Sequence, residues 1–83
     1  MRVTVYSKPQ CVQCDATKRE LRKLGAEFRT VDLTESPEAL EYVTEELGYA
    51  QAPVVVVEDG TEQNHWSGFR PDKIKAAAAT AAA

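Results

Sequence analysis

The chain has 83 residues, of which 43% are hydrophobic and 28% charged, and this fits one small globular domain with a modest core rather than a disordered chain. Its net charge of -3 argues mildly against nucleic acid or an anionic membrane as a partner, because both reward clustered lysine and arginine. No apolar run has the length of a signal peptide or a membrane span, so we expect a cytoplasmic protein.

The first predicted elements are a strand and a helix. The strand lies around the β-branched residues Val3 and Val5 and ends before Pro9. The helix runs from about Val12 to Leu24, with Gly25 as its C-terminal stop. Its apolar stripe, at steps of 3, 4 and 3, consists of Cys14, Thr17, Leu21 and Leu24. Charged side chains fill the rest of this helix, and we expect them to face solvent.

A second strand and a second helix are predicted in the middle of the chain. The strand runs from Phe28 to Leu33. Ser36 has the residue type of a helix N-cap and Pro37 that of a first helical position. Gly48 ends this helix, whose apolar stripe consists of Leu40, Val43 and Leu47.

Two strands and a third helix complete the prediction. A strand at Val54 to Val57 is followed by a tight hairpin turn at Asp59-Gly60 and a strand near Gln63 to Ser67. Pro71 opens the last helix, and we expect the Ala-rich residues 76–83 to form its frayed end. The first helix connects parallel strands, whereas the hairpin makes the last pair antiparallel. The sequence therefore predicts a single α/β domain over residues 1–83, with a four-stranded mixed sheet, three helices and the order β-α-β-α-β-β-α.

The chemistry is predicted at Cys11 and Cys14, where the first strand gives way to the first helix. A C-x-x-C motif beside a β-α-β pattern in a cytosolic chain is typical of a redox pair. Residues three apart share a helical face, so the two sulfurs can form a disulfide. So short a loop constrains the unfolded chain little, which favours reversible chemistry over a structural role.

The two cysteines are predicted to have different roles. No usual capping residue precedes Val12, so we expect the Cys11 sulfur to accept the unpaired N–H groups at the helix start. Those groups, the helix dipole and Lys8 favour a thiolate, whereas Asp15 opposes it, so the pKa of Cys11 should be lowered but not extreme. Cys14 lies on the apolar stripe and should be the more buried sulfur. Cys11 is therefore expected to attack a partner disulfide, and Cys14 to resolve the mixed disulfide.

Metal binding is the alternative from another functional class. A structural zinc site normally takes four nitrogen or sulfur ligands, and this chain offers only Cys11, Cys14 and His65. A four-thiolate zinc site or an iron–sulfur cluster shared by two copies stays possible, as does an inert cysteine pair. We expect no metal, and we expect His65 to be an ordinary surface or strand residue.

Four segments, spread over nearly the whole chain, resemble the NrdH-redoxins, which are glutaredoxin-like proteins that reduce the class Ib ribonucleotide reductase. The segments are Val5-Tyr6-Ser7-Lys8-Pro9, Cys11-Val12-Gln13-Cys14, Gln51-Ala52-Pro53-Val54-Val55 and Trp66-Ser67-Gly68-Phe69-Arg70-Pro71-Asp72. The last segment is the most specific, because C-x-x-C occurs in many redoxins. The resemblance implies a thioredoxin/glutaredoxin fold and a dithiol–disulfide oxidoreductase.

The resemblance also implies a partner-binding site. The Ala52-Pro53 bond would be cis and would face the cysteines, with the Ala52 backbone pairing with a bound peptide; the alternative is a proline that merely starts a strand. The predicted partner-contacting residues are Lys8, Val12, Gln13, Ala52, Pro53, Trp66 and Phe69. The alternative role of Trp66 and Phe69 is that of core aromatics under the last helix. The predicted loop-organising residues are Ser67, Gly68 and Arg70, the last through a bond to a carbonyl or carboxylate.

NrdH-redoxins take electrons from thioredoxin reductase and NADPH rather than from glutathione. The resemblance therefore implies a protein without a bound cofactor that uses NADPH only through thioredoxin reductase. Glutaredoxins commonly have Cys-Pro-Tyr-Cys and a Gly-Gly pair that cradles glutathione, whereas this chain has Val12-Gln13 and Gly68-Phe69 there. The Phe69 ring should hinder glutathione, although a glutathione-dependent glutaredoxin is the alternative. The expected partners of this monomer are thioredoxin reductase and the catalytic subunit of class Ib ribonucleotide reductase.

Overall fold

The computed structural model describes the backbone of residues 2–60 and 62–82, and side chains as far as residue 79. The elements in chain order are β1 (Arg2–Ser7), α1 (Val12–Lys23), β2 (Arg29–Asp32), α2 (Pro37–Glu41), a π-helix (Tyr42–Glu46), β3 (Val54–Glu58), β4 (Gln63–Ser67) and α3 (Pro71–Ala82). The predicted order of strands and helices is confirmed, with the π-helix continuing α2. Within the described residues, no helix is both long and apolar enough to cross a membrane.

The four strands form one mixed sheet in the order β2-β1-β3-β4. β1 is parallel to β2, because α1 carries the chain back across the sheet between them. β3 is antiparallel to both β1 and β4. Since β3 is central and covered on both faces, all four valines from Val54 to Val57 are buried.

The core has two parts, one on each side of the sheet, because alternate residues of a strand point to opposite faces. α1 and α3 cover one face, where the buried residues are Val3, Val5, Leu21, Val55, Val57, Trp66 and Ile74. α2 and the π-helix cover the other face, where the buried residues are Val43, Val54 and Val56. The helical cover is therefore thicker on the first face.

α1 begins and ends near its predicted bounds, but one member of its stripe is not buried. Cys14, Thr17 and Leu21 are buried, whereas Leu24 is 38% exposed. Leu24 is the C-cap, and its φ of -86° and ψ of 0° turn it away from the helical stripe. Gly25 follows with a φ of 76°, which fits the predicted stop.

The second helix starts as predicted and then changes type. Ser36 Oγ accepts the N–H of Ala39 at 3.2 Å, which confirms the N-cap. The N–H of Leu47 donates to Tyr42 O at 3.1 Å, five residues back, so the helix is wider there. The predicted stripe is wrong at Leu40, which is 46% exposed, because it precedes this extra residue per turn.

The last two strands form the predicted hairpin. Asp59 and Glu62 close it: the N–H of Asp59 donates to Glu62 O at 3.1 Å, and the N–H of Glu62 donates to Asp59 Oδ1 at 2.7 Å. Thr61 lies outside the described residues. α3 continues to Ala82, and Ala78 is buried. Fraying of residues 76–83 stays a prediction, and Ala83 lies outside the description.

Candidate active site

The cysteine pair lies at the N-terminus of α1 and is oxidised. Cys11 and Cys14 form a disulfide with their Cα atoms 5.2 Å apart. Cys11 is the N-cap, and its Sγ accepts the N–H of Cys14 at 3.1 Å, as predicted. Cys11 keeps 9% of its surface exposed and Cys14 none, so the first cysteine is the one that a partner can reach.

The residues around Cys11 differ strongly in exposure. Val12 is 82% exposed, which is unusual for an apolar side chain beside a reactive sulfur. Asp15, predicted to oppose a thiolate, has Oδ1 3.7 Å from Lys18 Nζ. That ammonium group partly offsets the negative charge at the start of the helix.

The Ala52-Pro53 peptide bond is cis. Pro53 is fully buried and Ala52 is half-buried, directly before β3. The carbonyl of Pro53 accepts the N–H of Gly68 at 2.9 Å, so the proline is fixed to the segment that follows β4. Gly68 has a φ of 84°, a conformation that side-chain-bearing residues rarely adopt.

Gln13 connects the redox motif to the same segment. Its Oε1 accepts the N–H of Phe69 at 3.3 Å, and a Cβ atom added at Gly68 would lie 3.5 Å from that oxygen. The structure thus brings together the C-x-x-C motif, the Gly68-Phe69 turn and the cis proline. Sequence reasoning grouped these residues only through the family resemblance, because no spacing signals a contact across 56 positions.

Arg70 and Asp72 form the start of α3. Arg70 Nε and Nη2 lie 3.3 Å and 3.2 Å from the two carboxylate oxygens of Asp72. These hydrogen bonds hold the pKa of Asp72 below its ordinary value. Ser67 is bonded through Oγ to the carbonyl of Gln51 at 3.0 Å, across the loop before the cis proline.

Trp66 and Phe69, for which two roles were predicted, differ in position. Trp66 is 6% exposed and belongs to the core beneath α3, with Ile74. Its indole is covered by the helix, so its assignment to the partner surface is corrected to a core position. Its Nε1 has no hydrogen-bond partner among the described residues. Phe69 is 37% exposed and follows the Gly68 turn at the surface.

A groove of about 220 Å³ runs along the second face of the molecule beside the cis proline. Lys8 and Ala52 contribute to it from the predicted partner-contacting set. Its described lining is completed by Leu33, Thr34, Leu40, Val43, Thr44, Tyr49, Ala50 and Gln51. A second hollow, of about 300 Å³, lies between β4 and α3, and neither cysteine lines it.

The predicted metal-ligand candidates do not come together. No group of three or more His, Cys, Asp or Glu side chains in the described part of the chain has the arrangement of a metal site. His65 instead lies beside Tyr49, with its Nδ1 2.8 Å from the phenol oxygen.

Comparison with known proteins gives consistent matches. A family model described as glutaredoxin matches residues 3–61. The glutaredoxin-like protein NrdH of Escherichia coli K12 is 43% identical over 74 residues, which are 89% of this chain and 85% of that protein. The NrdH protein of Lactococcus lactis subsp. cremoris is 39% identical over 72 residues, 87% of this chain and 93% of its own.

Solved structures give the same result. The NrdH-redoxin of Escherichia coli superposes with a TM-score of 0.82 at 42% identity, over 92% of this chain and 93% of its own. A glutaredoxin of Archaeoglobus fulgidus superposes with a TM-score of 0.76 at 25% identity, over 92% of this chain and 84% of its own.

Proposed function

Since this chain belongs to the glutaredoxin family, as a thiol–disulfide oxidoreductase of the NrdH type, we propose that it carries two electrons from thioredoxin reductase to a class Ib ribonucleotide reductase. The observation that carries the proposal is the Cys11–Cys14 pair at a helix N-terminus, with a partner-accessible first cysteine and a fully buried second one. No bound cofactor is needed for this exchange, and NADPH acts only through the reductase.

The reduced protein starts the exchange with Cys11. Its thiolate attacks one sulfur of the oxidised partner, a mixed disulfide forms, and the other partner sulfur leaves as a thiolate. The N–H of Cys14, 3.1 Å from Cys11 Sγ, and the N-terminus of α1 favour the attacking thiolate.

Cys14 completes the transfer. Its thiolate attacks the Cys11 sulfur, the Cys11–Cys14 disulfide forms, and the second partner sulfur leaves as a thiolate that takes up a proton. The partner disulfide has then gained two electrons and the chain has lost two. The burial of Cys14 keeps it away from external disulfides, which supports its role as the resolving residue.

The partner peptide is proposed to bind beside the cis proline. The Ala52 backbone would pair with an extended segment, as the family resemblance implies, while Lys8 lies at the groove. Val12 supplies an exposed apolar contact next to Cys11. Gln13 and Phe69 form the neighbouring edge of this surface.

Reduction by thioredoxin reductase rather than by glutathione is supported at the Gly68-Phe69 turn. Gln13 Oε1 already accepts the N–H of Phe69, so that donor is not available to a small peptide ligand. The Phe69 side chain stands where glutathione-using relatives commonly have a second glycine. The similar NrdH-redoxin of Escherichia coli has a thioredoxin-like activity profile.

NADPH consumption tests the source of electrons. The oxidised protein and a model disulfide are given thioredoxin reductase in one assay, and glutathione with glutathione reductase in the other. We expect turnover only with thioredoxin reductase, and none with the Cys11→Ser variant. Turnover only with glutathione would contradict the proposal and identify a glutathione-dependent glutaredoxin.

A further inference from the structure

One side of β4 carries a row of three polar residues, Gln63, His65 and Ser67, because alternate residues of a strand point the same way. Polar side chains on an edge strand ordinarily face water. Here each of the three is hydrogen-bonded to the segment 42–51, which covers the same face of the sheet.

Tyr49 makes the central contact of this row. Its Oη lies 2.8 Å from Nδ1 and 3.4 Å from the carbonyl oxygen of His65. The two rings pack edge to face, with centroids 5.5 Å apart and an interplanar angle of 74°. The N–H of Tyr49 donates to Val43 O at 2.9 Å. Tyr49 is therefore fastened to the π-helix by its backbone and to β4 by its side chain.

The segment that begins at Tyr49 leads to the cis proline. Residues 49–52 form one wall of the groove beside the active site. The carbonyl of Gln51 is held by Ser67 Oγ at 3.0 Å, and the carbonyl of Pro53 by the N–H of Gly68 at 2.9 Å. The wall is thus attached to β4 at its start, near its end and at the proline itself.

We propose that the Tyr49–His65 contact positions the groove wall for protein substrates. It fixes the segment 49–52, and with it the Ala52 backbone, for pairing with an extended peptide beside Cys11. Tyr49 and His65 are positioning residues, since they act through the wall and not on the reacting sulfurs. The inference rests on the proposed binding of a peptide beside Pro53, and it is independent of which reductase or reductant serves the chain.

The Tyr49→Phe variant tests the inference because it removes the phenol oxygen and keeps the ring. The protein is reduced with dithiothreitol, freed of it and mixed with insulin or with a small aromatic disulfide. We expect the half-saturating insulin concentration to rise roughly fivefold, the factor of one hydrogen bond, while the limiting rate is kept. The ratio of the insulin rate constant to that of the small disulfide falls by the same factor.

Tyr42→Phe is the matched control. It removes a phenol oxygen that accepts Gln63 Nε2 at 2.9 Å from the same strand, but Tyr42 is not among the described residues that line the groove. We expect its half-saturating insulin concentration to stay within about twofold. His65→Ala should match Tyr49→Phe, and the double variant should be no worse than either single one.

Three results would overturn the inference: an unchanged insulin dependence in Tyr49→Phe, an equal change in Tyr42→Phe, or additive effects of the two single variants at 49 and 65. Because dithiothreitol supplies the electrons before mixing, failure of thioredoxin reductase or ribonucleotide reductase to react does not affect this test.

Discussion

Cys11 combines two roles at the start of α1. Its sulfur accepts a backbone N–H in the way that a serine or aspartate oxygen usually does at an N-cap, and it is also the reacting atom. A serine in its place therefore keeps a capping group and removes the thiol. This makes Cys11→Ser a test of chemistry with little effect on the helix.

The cysteine variants should separate the two roles. We expect Cys11→Ser to abolish disulfide reduction and Cys14→Ser to accumulate mixed disulfides, because the second variant can attack but cannot resolve. Intact-mass measurement without reductant detects the adduct, and added dithiothreitol should release it. Full dithiol activity in Cys14→Ser would contradict this division of roles.

Arg70→Ala should raise the pKa of Asp72 towards its ordinary value, since hydrogen bonds from Arg70 lower it. The folded-state pKa lies below the unfolded one, so this carboxylate stabilises the fold above the unfolded pKa, and the contribution is lost as pH falls through the folded pKa. NMR titration of side-chain carboxyl shifts measures the change.

Asp32 is the internal control for that titration. Its pKa is lowered by hydrogen bonds from Thr34, which the Arg70→Ala variant leaves in place. The pKa of Asp32 should therefore not move. An Asp72 pKa that is the same in the variant and the parent would show that Arg70 does not set it.

Residue-level prediction worked where the signal is local. The capping role of Cys11 and the burial of Cys14 follow from their places at the helix start and on its stripe. The contact between Gln13 and Phe69 joins distant parts of the chain, and no local pattern indicates it. The cis state of Ala52-Pro53 followed only from the family resemblance, because most bonds before proline are trans.

The segment from α2 through the π-helix shows how far helix patterns reach. Ser36, Pro37 and Gly48 marked its ends correctly, because capping and positive-φ preferences act within a few residues. The periodicity assumed 3.6 residues per turn throughout. The π-helix breaks that period, so Val43 is buried while Leu40 is exposed.

Ser36→Ala should lower the free energy of unfolding by about 1 kcal/mol, because it removes the oxygen that accepts the Ala39 N–H. Urea unfolding measures the loss. Thr44→Ala is the control: it also removes a hydroxyl bonded to the backbone, at Leu40 O, but this exposed bond does not cap a helix. We expect a change within about 0.5 kcal/mol there. Equal losses in both variants would refute the capping role.

At the scale of the whole molecule, element order decided most of the fold. A helix between parallel strands and a hairpin between antiparallel ones left few ways to build a four-stranded sheet. The position of β3 at the centre is consistent with its unbroken run of valines. The unequal cover of the two faces depends on packing between distant elements, and periodicity within one element does not determine it.

Two leucines of α1 test the assignment of the core. Leu21 is 1% exposed between the sheet and α3, so Leu21→Ala should cost about 2–5 kcal/mol in the free energy of unfolding. Leu24, predicted on the same stripe but 38% exposed, should cost about 1 kcal/mol, because less of its surface leaves water. Denaturant unfolding of both variants compares them. A larger loss at Leu24 would restore the original stripe.

Deoxyribonucleotide formation in a mixture of NADPH, thioredoxin reductase, this protein and a class Ib ribonucleotide reductase tests the central proposal most directly. The account predicts that one deoxyribonucleotide forms for each NADPH oxidised, and that Cys11→Ser reduces both to background. Product that does not depend on this protein, or no product while the same ribonucleotide reductase works with dithiothreitol, would contradict it.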